Sequence, residues 1–190
     1  MDIQRYQDQK ATKYEKVRMK QKKWWEENKA LIKMLSNENI EHILDVPTGT
    51  GRFLPLYEDK KYTIIGVDAS NDMLEEAKNK NTSAFLIEGN AFNLPFDDNT
   101  FDLSVCIRFL NWFDINDVNK LIKELKRVSN TIILGIRLHK HMIKNEKKGL
   151  YRHDNQEFHK ILKKLNLKIK DEYKVDNKGY SIFKLTKGAI

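Results

Sequence analysis

The chain has 190 residues, 40% of them hydrophobic and 33% charged, with a formal net charge of +8. That balance describes one folded domain with a sizeable core. It excludes a helical membrane span, because no apolar run approaches roughly 20 residues, and the lone cysteine, Cys106, excludes an intrachain disulfide.

The N-terminus lacks the apolar stretch of a secretory signal, so a cytoplasmic location is the expectation. The basic balance, with a pI of about 9.3, makes nucleic acid one candidate partner. Lysine is nevertheless dispersed, its sharpest cluster being Lys10 to Lys23. Overall charge of that kind bears on solubility and weak association more than on activity. The expected assembly is a monomer or homodimer.

Residues 1–35 contain no Gly or Pro and are expected to be helical, with Trp24, Ala30, Leu31, Met34 and Leu35 sharing an apolar face. Before Trp24 this stretch is mostly polar, and residues 1–38 are expected to form a helical arm or cap. His42–Val46 is the first predicted strand. Gly51–Asp59 is a short helix interrupted early by Pro55, and Tyr62–Asp68 is the second strand. Ser70 can cap a helix over Asn71–Lys80 with Met73, Leu74 and Ala77 inward. Ala84–Glu88 is the third strand, and Asn93–Asn99 is a loop.

Phe101–Arg108 is a near-continuous apolar run, as expected for a central strand buried on both faces. Asn116–Ser129 is an amphipathic helix with Val118, Leu121, Ile122, Leu125 and Val128 on one face. Thr131–Leu138 is the fifth strand, and Leu138–Asp154 is expected as a small cap segment. Asn155–Leu165 is a helix. Leu167–Lys174 and Tyr180–Thr186 alternate and predict a terminal hairpin. The order implies an α/β fold: a doubly wound, mostly parallel seven-stranded sheet with a C-terminal antiparallel hairpin.

Ligands of such sheets lie outside the carboxyl ends of the strands. Strand one runs into Asp45-Val-Pro-Thr-Gly49-Thr-Gly51, and strand two ends on Asp68. Glycines let backbone N–H groups approach a ligand, and an acid at the second strand's end can accept from both ribose hydroxyls. The dinucleotide fingerprint needs a third glycine, and Leu54 stands in its place.

The pattern instead resembles motif I of the class I S-adenosylmethionine-dependent methyltransferases, acidic-x-Gly-x-Gly-x-Gly, with Pro47 at the first glycine position. The resemblance covers roughly residues 40–186, so residues 39–190 are expected to form the cofactor-binding domain. It implies S-adenosylmethionine as cofactor and a Rossmann-like fold. Asp45 and the loop of Pro47, Thr48, Gly49, Gly51 and Arg52 would hold the methionine part, with Asp45 orienting its amino group. Asp68 and Ala69 would sit at the ribose, and Met73 would pack beside the adenine. Asn90, Ala91 and Phe92 would border the adenine edge, Asn90 standing where many family members carry an acid.

Arg108, one residue past the strand-four core, is a candidate for stabilising a carboxylate of cofactor or acceptor. Arg137 has a similar strand-end position. His139 is the candidate substrate-side base. Trp24, Trp25, Tyr14, Trp112 and Tyr151 are candidate aromatic walls. No metal site is expected, since His139-x-His141 alone is a weak signal. No Pro-Cys pair or Asn/Asp-Pro-Pro-aromatic motif is present, which disfavours cytosine-C5 and exocyclic-amine methylation. The expected activity is methyl transfer to a small-molecule acceptor. The alternatives are an RNA or protein methyltransferase, or a non-catalytic cofactor-binding module.

Overall fold

A computed structural model describes residues 20–35, 39–58, 62–80, 82–145 and 149–188. The helix expected over residues 1–35 is therefore described only from its later part, α1 (Lys22–Leu35). Then follow β1 (His42–Asp45), α2 (Leu54–Glu58), β2 (Thr63–Asp68), α3 (Asn71–Lys78), β3 (Phe85–Glu88) and β4 (Phe101–Cys106). A single 3₁₀ turn over Leu110–Trp112 leads to α4 (Ile115–Val128) and β5 (Ser129–His139). The chain continues through β6 (Ile143–Asn145), β7 (Leu150–Asp154), α5 (Asn155–Lys164), β8 (Leu167–Lys174) and β9 (Tyr180–Lys187).

Among the described residues the sheet has nine strands. Strands β3, β2, β1, β4 and β5 run parallel in that order. β9 adds antiparallel to β5, and β8 closes the edge antiparallel to β9. These are the seven expected strands, in a mostly parallel sheet with a terminal hairpin. The other two correct the sequence reading. The Leu138–Asp154 segment is a β6–β7 ribbon, and β7 pairs parallel with the extended tip of β5 at Leu138 and His139. Ile143–Asn145 is exposed throughout, so it carries no alternating burial that a sequence pattern could reveal.

Helices cover both faces, because successive strand residues point to opposite sides. Ile43, Leu103, Val105 and Ile133 enter one core with α1 and α2. Leu44, Cys106, Ile132 and Leu134 enter the other with α4 and α5. The face of α4 is the expected one: Val118, Leu121, Ile122, Leu125 and Val128 are all fully buried. Burying each such side chain contributes roughly 1.5–3 kcal/mol. Asp114 caps this helix by accepting from the backbone N–H groups of Asn116 and Asp117. Near its other end, Arg127 donates to the carbonyls of Leu94 and Phe96, so α4 also holds the loop before β4. Ser70 caps α3 as expected, its hydroxyl accepting from Met73 N–H. On α1 the residues read as one apolar face, Trp24, Ala30, Leu31, Met34 and Leu35, are all buried.

Candidate cofactor and acceptor site

A cavity of about 1130 Å³ opens along the carboxyl ends of the parallel strands, between them and the N-terminal part of α1. Its first wall is the turn after β1. The Val46–Pro47 peptide is cis, and Gly49 and Gly51 have φ of +56° and +69°. The two glycines serve different needs. A Cβ at Gly49 would meet nothing within 4 Å, so Gly49 gives the turn its conformation and leaves the backbone open to a ligand. A Cβ at Gly51 would lie 2.8 Å from Leu54 Cδ1 and 2.9 Å from Ala77 Cβ. Gly51 therefore lets α3 pack closely and does not line the cavity, contrary to its expected place among the cofactor contacts.

Asp45 is also behind the wall. It is 2% exposed and accepts a 3.1 Å hydrogen bond from the Thr48 hydroxyl, so it supports the loop from beneath and reaches no cavity surface. Burial pushes its pKa up to about 7, with the nearby Asp68 carboxylate adding to the rise and the Thr48 bond opposing it. Pro47, Thr48 and Gly49 do line the cavity.

Asp68 lies in the wall where expected. One carboxylate oxygen accepts from Gly49 N–H at 2.8 Å and the other from Ser70 N–H at 2.9 Å. It thus ties the glycine turn to the start of α3. Each carboxylate oxygen has a second acceptor site for ligand hydroxyls. Burial raises its pKa, against the lowering effect of the backbone N–H groups. Ala69 and Met73 follow along the same wall. Asn90, Ala91 and Phe92 form the next stretch, where Asn90 Oδ1 accepts from Phe92 N–H at 3.0 Å. The Asn90 side chain is therefore engaged in its own turn. Glu88, in register with Asp68 across β2 and β3, also lines the cavity. The same strand-end rule that selected Asp68 would have found it.

Arg52 and Arg108 both border the cavity, but their guanidinium groups turn to α1. Glu27, fully buried on that helix, accepts from Arg52 at 2.6 Å and from Arg108 Nε at 2.7 and 2.8 Å. Arg52 also donates to the Trp24 carbonyl and to Asn28 Oδ1, and its Cζ lies 3.6 Å from the Trp24 ring centroid. Arg108 has φ of +65°, and its backbone N–H donates to the Tyr180 hydroxyl. Glu27 was missed because it sits in a charged run, Trp-Glu-Glu-Asn-Lys, that reads as solvated helix.

His139 is not brought to the site. β5 overruns the cavity edge to pair with β7, which carries His139 onto exposed surface, where its ring meets the backbone of His141. Arg137, two residues earlier, is the β5 residue that lines the cavity. Of the aromatic candidates, Trp24 and Trp112 are wall residues. Trp25 is 54% exposed, and Tyr151 stacks on His153 beside the β6–β7 ribbon. Tyr14 lies outside the described residues. His153 is fully buried, with Nε2 3.2 Å from the Leu110 carbonyl. Cys106 is a buried core thiol with a raised pKa, as burial demands. Among the described residues no group of three or more His, Cys, Asp or Glu could hold a metal ion.

A methyltransferase-domain family model matches residues 44–131, from β1 into β5. A demethylmenaquinone methyltransferase of Thermotoga maritima is 35% identical over 109 residues, 56% of this chain and 45% of that protein. An uncharacterized protein of Methanocaldococcus jannaschii is 30% identical over 171 residues, 85% of this chain and 70% of that one. Magnesium protoporphyrin IX methyltransferase from Synechocystis PCC 6803, solved with bound SAH, superposes with a TM-score of 0.71 at 16% identity, covering 87% of this chain and 84% of that one. The chain spans about half the length of the Thermotoga enzyme.

The chain belongs to the class I S-adenosylmethionine-dependent methyltransferase family. Its cofactor is S-adenosylmethionine. The cavity fits that ligand in the open approach at Gly49, the acceptor oxygens of Asp68 and the apolar surface of Met73.

Proposed function

We propose that this domain transfers a methyl group from S-adenosylmethionine to a small-molecule acceptor. The observation that carries this reading is the continuity of the cavity. Its Gly49–Asp68 end suits the cofactor, and the same space extends past Arg108 to Trp112, Arg137 and Tyr180. At about 1130 Å³ it exceeds the roughly 300–1,000 Å³ of a site for one small ligand, which leaves room for a second. The relatives named above as demethylmenaquinone and magnesium protoporphyrin methyltransferases support an acceptor of that class.

The cofactor supplies an activated methyl group on a sulfonium sulfur. The residues of the chain then have three tasks: to hold, to orient and to keep water out. Pro47, Thr48, Gly49, Asp68, Ala69 and Met73 hold the nucleoside and methionine portions, with Asn90, Ala91 and Phe92 at the base edge. Trp24, stacked on Arg52, adds an aromatic wall. Asn111 donates to the Tyr151 carbonyl and so fixes the acceptor-side turn against β7.

Incubation with methyl-labelled S-adenosylmethionine and separated small-molecule, RNA and protein fractions of a cell extract tests this. Label is expected in the small-molecule fraction and is expected to fall tenfold or more with Asp68→Ala at subsaturating cofactor. Label confined to RNA or protein would instead support a macromolecular acceptor.

A further inference from the structure

At the end of the cavity away from Asp68, two cations share one carboxylate. Arg137 makes a two-pronged pair with Asp176, at 2.8 and 3.1 Å. Lys23 of α1 reaches the same carboxylate only at 3.7 Å, too long for a hydrogen bond. The Asp176 oxygens also accept from the backbone N–H groups of Lys178 and Tyr180. Lys23 Nζ sits 4.0 Å from the Tyr180 ring centroid, and Arg137 Cζ sits 5.4 Å from the same ring. Lys23, Arg137 and Tyr180 all line the cavity. Among the described residues the Lys23 ammonium donates no hydrogen bond, although it has three protons to give.

This cluster lies beyond the reach of the cofactor's ribose anchor. Asp68 ends β2 and Arg137 is near the end of β5, three strands away in the order β2-β1-β4-β5. At about 4.8 Å per strand that is roughly 14 Å. Between cluster and anchor stand the glycine turn and Arg108, and Trp112 and Leu150 offer apolar wall within the same cavity.

We infer that the methyl acceptor is an anionic small molecule with an apolar body, whose carboxylate or phosphate docks between Lys23 and Arg137 over the Tyr180 ring. The assignment rests on the reading that the cofactor occupies the Gly49–Asp68 end. The ionisation of Lys23 agrees with it. Burial and the adjacent Arg137 bring its pKa down to about 8, with Arg108 also lowering it and Glu27 and Asp176 opposing. An anion arriving at this point would relieve that excess of positive charge. Tyr180 stays protonated because burial raises its pKa, so it adds no negative charge of its own.

The test is calorimetric and uses the full chain. S-adenosylhomocysteine is titrated first. The saturated protein is then titrated with 2-naphthoate, 2-naphthyl phosphate and neutral 2-naphthalenemethanol. At least one anion is expected to bind tenfold or more tighter than the alcohol. Lys23→Met is expected to abolish that preference while S-adenosylhomocysteine affinity stays within twofold. The parent's preference should also decline as pH rises through about 8, and the Lys23→Met profile should be flat there. Anions that bind no better than the alcohol would overturn the assignment. A loss of S-adenosylhomocysteine affinity in Lys23→Met equal to the loss for the anion would also overturn it, by placing the cofactor's own carboxylate there. Failure of S-adenosylhomocysteine to bind the parent would strike the cofactor reading itself and is seen in the first titration.

Discussion

Glu27→Ala is expected to be among the most damaging single changes in α1. The glutamate is fully buried, and it faces guanidinium groups whose side chains are only 9% and 16% exposed. Its removal leaves two cations in a poorly solvated place facing one another. Breaking a buried pair in this way typically costs about 3–5 kcal/mol, because the remaining charge keeps its desolvation penalty. Arg52 retains the Trp24 carbonyl, Asn28 and the Trp24 ring. For a domain of this length the cost corresponds to a fall in Tm of roughly 6–20 °C. Urea denaturation of parent, Glu27→Ala and Glu27→Gln measures it, with the glutamine expected between the other two because it keeps one acceptor oxygen. A loss below about 1 kcal/mol for Glu27→Ala, with an unchanged m-value, would mean that water solvates both arginines and that α1 is not pinned by this network.

The glycine turn separates steric from conformational need: Gly49→Ala should cost about 1–2 kcal/mol for its positive φ alone, whereas Gly51→Ala should cost clearly more, since its Cβ would also press on Leu54 and Ala77; equal thermal shifts would contradict this. Asp45 predicts an inverted pH dependence. Its pKa rises from 3.8 to about 7 on folding, so the folded state holds a proton that the unfolded chain loses between those values, and stability falls as pH rises across that window. Asp45→Asn should flatten this slope and, above pH 7, stabilise the protein by up to about 4 kcal/mol; a parent and variant with parallel stability profiles from pH 4 to 8 would show that Asp45 is ionised when folded. Asp68→Ala should lower the Tm even without ligand, because the carboxylate braces Gly49 and Ser70; an unchanged Tm in differential scanning calorimetry would contradict that bracing role.

The sheet was legible because its signals are local and repeated. β4 is apolar throughout, α4 keeps its apolar face in register, and Ser70 stands before α3 as a cap. The β6–β7 ribbon was not legible, since β6 is a three-residue strand, exposed throughout, that forms by pairing with β7. For the site, strand-end positions selected Pro47, Thr48, Gly49, Asp68, Ala69, Met73, Asn90, Ala91 and Phe92, all of which line the cavity. The same rule misplaced Asp45, Gly51 and His139 by a small displacement each. Asp45 and Gly51 belong to the right turn but face its underside, and His139 follows the right strand two residues too far. Glu27 and Tyr180 could not be read in advance. Their place depends on α1 and β9 returning from distant parts of the chain to the ends of β4 and β5.

We assign the Gly49–Asp68 end of the cavity as the S-adenosylmethionine site. Isothermal titration of the parent and of Asp68→Ala with S-adenosylmethionine and with NAD tests it most directly. Saturable one-to-one binding of S-adenosylmethionine is expected, weakened in Asp68→Ala by about 1.5–3 kcal/mol, the scale of hydrogen bonds to a charged group, with no comparable binding of NAD. Preferential binding of NAD, or an Asp68→Ala variant that folds and binds S-adenosylmethionine as the parent does, would contradict it.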